Sequence, residues 1–243
     1  MSRRANDAIG LDIGINKDTA GQVPDDFLEL RHLPRGVLLA LGRRYNERMP
    51  GSDDMTPRGA APRLKLTYDD YLLFPDDGKR HELIDGEHYV TPSPNLRHQA
   101  ISGRLYLLIG TWLRDHPTGQ IYFAPLDVIF SRFDVVEPDL LYVSNERAPE
   151  ILGEYVTGAP DLVIEIGSPS TRQRDETIKR GLYERSGVTE YWVVDPEIDV
   201  IRVYRRSGER FGRPVELSAE AGDTLTTPLL PELQIPLAHV FYS

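Results

Sequence analysis

Three acidic residues stand where the surrounding pattern predicts β-strands. Glu82 lies in RHELIDGE, Asp139 in VVEPDLLYV and Glu165 in DLVIEIGSPS. An ionised carboxylate inside an apolar strand is costly unless it pairs with a cation or binds a metal ion. If the strands of Asp139 and Glu165 are neighbours, the two acids form a pair of hard oxygen ligands that suits Mg²⁺ or Mn²⁺. The alternative is that each acid pairs with an arginine or a lysine.

The segment that follows Glu165, TRQRDETIKRGLYERSG, has a helical pattern. Asp175, Lys179 and Tyr183 recur every four residues and therefore share one face of the predicted helix. On that face, the Lys179 ammonium could lie near a phosphate and the attacking water. The same spacing equally fits a surface ion pair between Asp175 and Lys179, with Tyr183 covering the sheet edge.

Other residues that could take part in chemistry, a histidine and two serines, give weaker signals. His98 shares a helical stripe with Ile101 and Leu105, so it should point inward, either as a core histidine or as a residue that lines a site. The sequence contains no P-loop, no dinucleotide-binding glycine motif and no GxSxG motif. Ser168 and Ser170 have no obvious general base nearby in the sequence, which argues against a serine nucleophile.

Periodicity and turn signals predict the elements that position these residues. Asp85-Gly86 marks a hairpin, LTYDDYLL starts a short helix at Thr67, and the tail TPLLPELQIPL suggests a closing strand and loop. Two longer helices are predicted at Ser93–Leu113 and Arg172–Ser186, and strands at Ile121–Phe130, Val136–Val143, Asp161–Ile166, TEYWVVD and VIRVYRR. This order indicates an α/β or α+β domain built around one mixed sheet.

Composition limits the classes of function. The chain has 243 residues and no cysteine, which excludes disulfides, thiolate metal sites and a cysteine nucleophile. We expect a cytoplasmic protein without a membrane segment, because no apolar run is long enough to span a bilayer and no secretory signal is visible. Residues 1–62 carry equal numbers of basic and acidic residues, so the net charge of −10 arises downstream. A broad basic surface for nucleic acid is therefore not expected.

The chain is predicted to have two parts. Residues 1–62 are rich in Gly, Asp, Asn and Pro and end in a linker-like stretch, PGSDDMTPRGAAP, so we expect a poorly ordered N-terminal extension. It is either an accessory segment or an artefact of a start at Met55. Residues 63–243 are predicted to form the folded domain.

Several motifs together resemble one bacterial family. HELIDGE, TPSPNLRHQ, VVEPDLLYV, GAPDLVIEIGSPST, the D-x-x-x-K-x-x-x-Y helix and SGVTEYWVVDP occur in the order and at roughly the spacing found in Uma-family proteins. The resemblance covers about residues 63–242. That family is a domain of unknown function assigned to the restriction endonucleases of the PD-(D/E)XK superfamily. The resemblance implies a restriction-endonuclease-like core, with a central mixed β-sheet flanked by helices.

The resemblance also implies roles for individual residues. Asp139 matches the aspartate of the PD motif and Glu165 the second acid, and both would bind Mg²⁺ or Mn²⁺. Gly167 stands where the superfamily lysine is expected, which implies that Lys179 on the following helix replaces it. The Ile-Gly pair after Glu165 departs from the Val-Leu that is more common in the family. Glu82 matches an early acidic position and His98 the HQ motif.

The resulting hypothesis is a Mg²⁺-dependent endonuclease that hydrolyses DNA phosphodiester bonds. The predicted catalytic residues are Glu82, Asp139, Glu165 and Lys179, and the predicted substrate contacts are Arg97, His98, Arg104 and Arg172. DNA is the expected partner, and a homodimer is expected because double-strand cutting needs two sites. One alternative is a nuclease fold without catalysis that acts as a binding or scaffolding protein. Another, a sugar hydrolase with two carboxylates, is disfavoured because Trp112 and Trp192 fit core positions.

Overall fold

The computed structural model describes residues 64–167 and 174–242. The helices in this part of the chain are α1 (Tyr68–Tyr71), α2 (Leu96–Asp115), α3 (Ala148–Ile151), α4 (Arg180–Ser186) and α5 (Ala238–Phe241), and a π-helical turn, Asp175–Lys179, precedes α4. The strands are β1 (Arg80–Ile84), β2 (Glu87–Thr91), β3 (Gly119–Phe123), β4 (Val128–Ser131), β5 (Asp134–Val136), β6 (Leu140–Ser144), β7 (Val156–Thr157), β8 (Leu162–Ile166), β9 (Glu190–Asp195), β10 (Val200–Ser207), β11 (Arg210–Phe211), β12 (Val215–Ser218), β13 (Thr224–Thr227) and β14 (Leu230–Pro236). The predicted extension at 1–62, Ser168 and Ser170 lie outside the described residues.

The larger sheet in the described residues has seven strands, in the order β11-β10-β9-β8-β6-β3, with β12 also paired to β10. Strands β3, β6 and β8 are antiparallel neighbours, and β9 runs parallel to β8. The connection between these parallel strands carries α4, as a parallel crossover requires. Every residue of β8 is buried, in agreement with the prediction that this apolar segment is a central strand.

Helix α2 covers one face of this sheet. The Asn95 side chain caps the helix by accepting a hydrogen bond from the His98 backbone N–H at 2.9 Å, the usual role of asparagine at this position. The helix begins three residues later than predicted, because Pro94 favours an extended conformation in the residue before it. The buried stripe of α2 packs against the sheet and consists of Ile101, Leu105, Ile109 and Leu113.

A second sheet, of five strands in the order β2-β1-β5-β4-β7, is also present in the described residues, so the prediction of one sheet was wrong. The predicted strand Ile121–Phe130 is in fact β3 and β4, separated at Pro125, and Val136–Val143 contains the end of β5 and most of β6, separated at Pro138. Proline has no N–H to donate to a sheet and interrupts pairing. At each proline the chain passes from one sheet to the other.

The hairpin predicted at Asp85-Gly86 is confirmed. Strands β1 and β2 are antiparallel, and Ile84 pairs with Glu87 across the turn. Asp85 and Gly86 both have positive φ, 53° and 73°, as a two-residue type I′ turn requires. The tail TPLLPELQIPL, predicted as a closing strand and loop, contains β14, which pairs with the preceding β13 in a hairpin. In residues 64–167 and 174–242, no helix is both long and apolar enough to cross a bilayer.

Candidate active site

Asp139 and Glu165 lie opposite each other on adjacent strands. Leu140 of β6 pairs with Ile164 of β8 in antiparallel register, so the next residues along, Asp139 and Glu165, face each other across the strand pair. The backbone N–H of Ile166 donates to Asp139 Oδ2 at 2.8 Å. Both acids are buried, with 4% of each residue exposed. The expectation that their strands are neighbours is confirmed.

Lys179 lies between two of the predicted acids. Its Nζ is 2.8 Å from Glu165 Oε1 and 2.7 Å from Glu82 Oε1. The lysine is 2% exposed, so the alternative of a surface ion pair is wrong. The buried ammonium instead links an acid of the larger sheet to an acid of the second sheet.

The π-helical turn shapes the approach to Glu165. The backbone N–H of Arg180 donates to the carbonyl of Asp175, five residues earlier, which is the π-helical pattern and is frequent at functional sites. From this turn and the helix that follows, Lys179 and Tyr183 both reach Glu165 Oε1, and the Tyr183 hydroxyl donates to it at 2.6 Å. The sequence predicted a regular helix here.

Glu82 is the most enclosed of the four predicted catalytic residues, at 1% exposed. Besides Lys179, its carboxylate accepts from the backbone N–H of Glu137 at 3.1 Å and from the Thr91 hydroxyl at 3.4 Å. Arg174 Nη2 lies 3.6 Å from it. Glu82 is therefore held in place by these contacts and in turn fixes the position of the Lys179 ammonium.

Two ionisable side chains, one from β1 and one from α2, contact the Asp139 carboxylate. Arg80 of β1 donates to Oδ1 at 2.8 Å, and His98 Nε2 lies 3.1 Å from Oδ2. Arg80 was not predicted from the sequence. The signal was its spacing from Glu82, because residues two apart on a strand share one face.

A cleft of about 590 Å³ opens beside Asp139. Its lining includes the charged residues Arg80, Glu137 and Asp139 together with His98, and also the aromatic rings of Tyr106 and Phe123. Among the described residues, Glu82, Glu165 and Lys179 do not line this cleft. They form a buried layer behind Asp139.

Burial and neighbouring charge set the protonation of the site. Burial opposes ionisation of Asp139, but the His98 hydrogen bond and the Arg80 charge outweigh it and lower the pKa of Asp139 to about 2. Burial raises the pKa of Glu165 to about 8, against the attraction of Lys179 and with the repulsion of Asp139. Burial, together with the charges of Asp127 and Glu82, raises the pKa of Glu137 to about 7. Burial is therefore the largest cause of the raised pKa values of Glu165 and Glu137.

The donor set fits a hard divalent cation. Within residues 64–167 and 174–242, no group of three or more His, Asp or Glu side chains has metal-ligand geometry, as a structural zinc site would need. Mg²⁺ needs only one or two carboxylates and completes its shell with water and phosphate. Asp139 and Glu165 would supply that pair, and a cationic side chain contacts each of them.

The remaining predicted substrate contacts are placed differently. His98 is buried as expected and lines the cleft. Arg97 is ion-paired with Asp199 and donates to the Pro196 carbonyl, and Arg104 donates to the Val240 carbonyl at 3.1 Å. Both arginines serve contacts within the fold and are not among the residues lining the cleft. Arg172 lies outside the described residues.

Comparisons with known proteins agree with this architecture. Residues 68–238 match the Uma2 family, described as "Putative restriction endonuclease". A crystal structure from Anabaena variabilis ATCC 29413, described as a putative nuclease belonging to DUF820, superposes with a TM-score of 0.64 at 23% identity, covering 72% of this chain and 97% of that one. No curated protein matches the chain. The predicted fold, a mixed α/β core of the restriction-endonuclease-like type, is confirmed.

Proposed function

The chain belongs to the Uma2 family, and from that premise we propose that it is a Mg²⁺- or Mn²⁺-dependent endonuclease that hydrolyses DNA phosphodiester bonds. One observation carries the proposal. Asp139, which lines the cleft, faces the buried Glu165 on the neighbouring strand, and the Lys179 ammonium lies 2.8 Å from Glu165. Family membership supports a nuclease-like function, and the geometry supports the metal and the reaction.

Asp139 and Glu165 would hold the divalent cation. When bound, the ion would polarise the scissile phosphate, make a water molecule more acidic and offset the negative charge that develops on the phosphate. Repulsion by Asp139 contributes to the raised pKa of Glu165, and such an ion would offset that repulsion.

The surrounding residues hold the two carboxylates in fixed orientations. The Tyr183 hydroxyl and Lys179 bind the same oxygen of Glu165. His98 and the Ile166 N–H bind one oxygen of Asp139. Carboxylates that are held by their neighbours keep their geometry when an ion or a substrate binds. Catalysis that relies on the positioning of groups requires this.

Arg80 is the residue best placed to respond to the ion. It pairs with Asp139 from the cleft wall, where 20% of its side chain is exposed. A cation on Asp139 would displace the guanidinium into the cleft. Its planar fork of donors matches a phosphate group, so Arg80 would then contact the substrate.

A cleavage assay on circular DNA tests the proposal, because a circle without ends can be opened only by an endonuclease. Full-length protein should open supercoiled plasmid or circular single-stranded DNA with Mg²⁺ or Mn²⁺, and chelator should stop the reaction. Asp139→Asn should lower the rate by at least about a hundredfold, the scale on which one essential electrostatic group acts.

Asp199→Asn is the matched control. Asp199 is also ion-paired to an arginine, Arg97, it lies outside the cleft, and its positive φ of 52° is tolerated by asparagine. This control should cut like the unmodified protein. Equal cutting by the Asp139→Asn protein would refute the proposed site.

One observation favours a second function, that of a nuclease fold that binds a partner without catalysis. Asp139 and Glu165 already have protein cations as partners, so both charges are satisfied without a metal ion. This alternative predicts no binding of Mn²⁺ at millimolar concentration in calorimetry, whereas the endonuclease proposal predicts a single site lost in Asp139→Asn.

A further inference from the structure

The cleft beside Asp139 is lined by both charged and aromatic side chains. The rings of Tyr106 and Phe123 meet edge to face, with centroids 5.0 Å apart at an interplanar angle of 78°. Phe123 is 58% exposed and Tyr106 is 37% exposed. Two large aromatic rings on an open cleft wall form a surface that a planar, apolar group would cover.

The backbone leaves room in front of these rings. Gly103 of α2 lines the cleft, and a Cβ added there would meet no atom within 4 Å. Glycine inside a helix costs about 1 kcal/mol relative to alanine. Nothing in the packing of the described residues requires glycine at this position, whereas any larger side chain would enter the cleft.

Positive charge around the cleft is sparse. Arg80 and Lys79 are the basic residues that line it among the described residues, and the whole chain carries a net charge of −10. A protein that tracks duplex DNA neutralises many phosphates with a broad basic surface. This cleft has cations for only a few phosphates.

From these features we propose that the cleft binds an unpaired polynucleotide strand, with a base stacked on Phe123 and in edge contact with Tyr106, and its neighbouring phosphate at Arg80. The inference rests on the proposed nuclease function and specifies its substrate class as single-stranded DNA. In a duplex, neighbouring bases cover the ring faces, so only an unpaired base can stack on a protein side chain. The cleft volume of about 590 Å³ is in the range of pockets that enclose small ligands, which suits individual nucleotides of a strand.

Binding to a fluorescent oligodeoxynucleotide tests the inference. The full-length protein is titrated in chelator, so that no cutting occurs, against a single strand and against the duplex of the same sequence, and anisotropy is measured. The single strand should bind at least about tenfold more tightly. Phe123→Ala should weaken single-strand binding by about five- to 150-fold, which corresponds to the loss of one stacked base, and Phe123→Trp should restore it.

A second pair of variants tests the same cleft without removing an aromatic ring. Gly103→Leu should obstruct the cleft and weaken single-strand binding. Gly181→Leu is the matched control, because a Cβ at this helical glycine also meets no atom within 4 Å and Gly181 does not line the cleft. Circular dichroism of each variant shows that the fold is retained.

The outcomes separate this inference from the proposed function. Equal or tighter binding of duplex, or unchanged binding by both Phe123→Ala and Gly103→Leu, would overturn the inference while leaving metal-dependent cleavage open to its own test. Aromatic-dependent binding without any cleavage would support the inference and overturn the endonuclease proposal. Binding of an oligoribonucleotide that is weakened by Phe123→Ala would support the proposal of an unpaired strand and would identify that strand as RNA.

Discussion

Lys179, whose ammonium group is buried, is the residue on which the candidate site depends most. It contacts Glu82 of the second sheet and Glu165 of the larger sheet at 2.7 and 2.8 Å. These two acids and the lysine are each less than 5% exposed. A charge at such depth is tolerated because its partners are there, and removal of one partner leaves the others uncompensated.

Lys179→Met should therefore destabilise the protein as well as stop cutting. We expect the free energy of unfolding in urea to fall by about 3–5 kcal/mol, the usual cost of breaking a buried ion pair from one side. Lys79→Met is the control, because Lys79 is exposed and pairs with the surface acid Asp77, and surface pairs contribute little. A Lys179→Met protein as stable as Lys79→Met would show that the acids are not held by this lysine.

Arg80 makes a separate prediction, about metal affinity. Because its guanidinium pairs with Asp139 at 2.8 Å, Arg80 would compete with a divalent ion for the same carboxylate. Arg80→Gln should then bind Mn²⁺ several-fold more tightly in calorimetry while cutting DNA more slowly. Arg97→Gln, which alters an arginine paired with Asp199 instead, should leave Mn²⁺ affinity unchanged. Weaker Mn²⁺ binding by Arg80→Gln would contradict the competition.

Helices and turns that depend on residues close together in the sequence were predictable, whereas the pairing of distant strands was not. The Asp85-Gly86 hairpin and helix α2 were predictable because turn residues, a cap and a repeated apolar stripe lie within a few residues of each other. The division into two sheets was not predicted, because the strands that precede and follow Pro125 and Pro138 are all largely apolar. Periodicity in the sequence does not indicate which sheet a strand joins.

The candidate site was predictable only in part for the same reason. The burial of Asp139 and Glu165 follows from their apolar surroundings, but their opposition depends on strand register, which is set by the whole sheet. The contact of Arg80 with Asp139 joins β1 to the start of β6, across 59 residues of sequence. The π-helical turn was not predictable, since the four-residue spacing of Asp175, Lys179 and Tyr183 fits a regular helix equally well.

Strand β3 carries Phe123 to the cleft, and its pairing with β6 depends on Gly119. A Cβ at Gly119 would lie 2.3 Å from the Val143 carbonyl oxygen and 2.7 Å from the Tyr142 ring. Gly119→Ala should therefore lower the free energy of unfolding by about 1–3 kcal/mol, as overpacking does. Gly103→Ala, the same change at an open helical position, should raise it by about 0.5–1 kcal/mol. Urea denaturation measures both, and equal effects would refute the close approach at Gly119.

At the scale of the whole molecule, the family match and the described core both lie downstream of residue 63. The boundary between an extension at 1–62 and a domain at 63–243 stays a prediction. A protein that begins at residue 63 should unfold within about 0.5 kcal/mol of the full chain, because the removed residues are predicted to bury little apolar surface. A larger loss would show that the extension belongs to the folded domain.

The proposed substrate also bears on assembly. The homodimer expected from sequence follows from double-strand cutting, which needs two active sites. A single-stranded substrate needs only one. Sedimentation analysis of the chain alone and with an oligodeoxynucleotide would show whether the homodimer forms, and single-strand cutting by a monomer would agree with both proposals.

The central claim is that Asp139 and Glu165 share one divalent cation. A crystal soaked in Mn²⁺ and read by anomalous diffraction measures this directly. We expect a single manganese peak within coordination distance of both carboxylates, with Arg80 displaced from Asp139 and Lys179 still in contact with Glu165. No peak at millimolar Mn²⁺, with Arg80 still bound to Asp139, would contradict it.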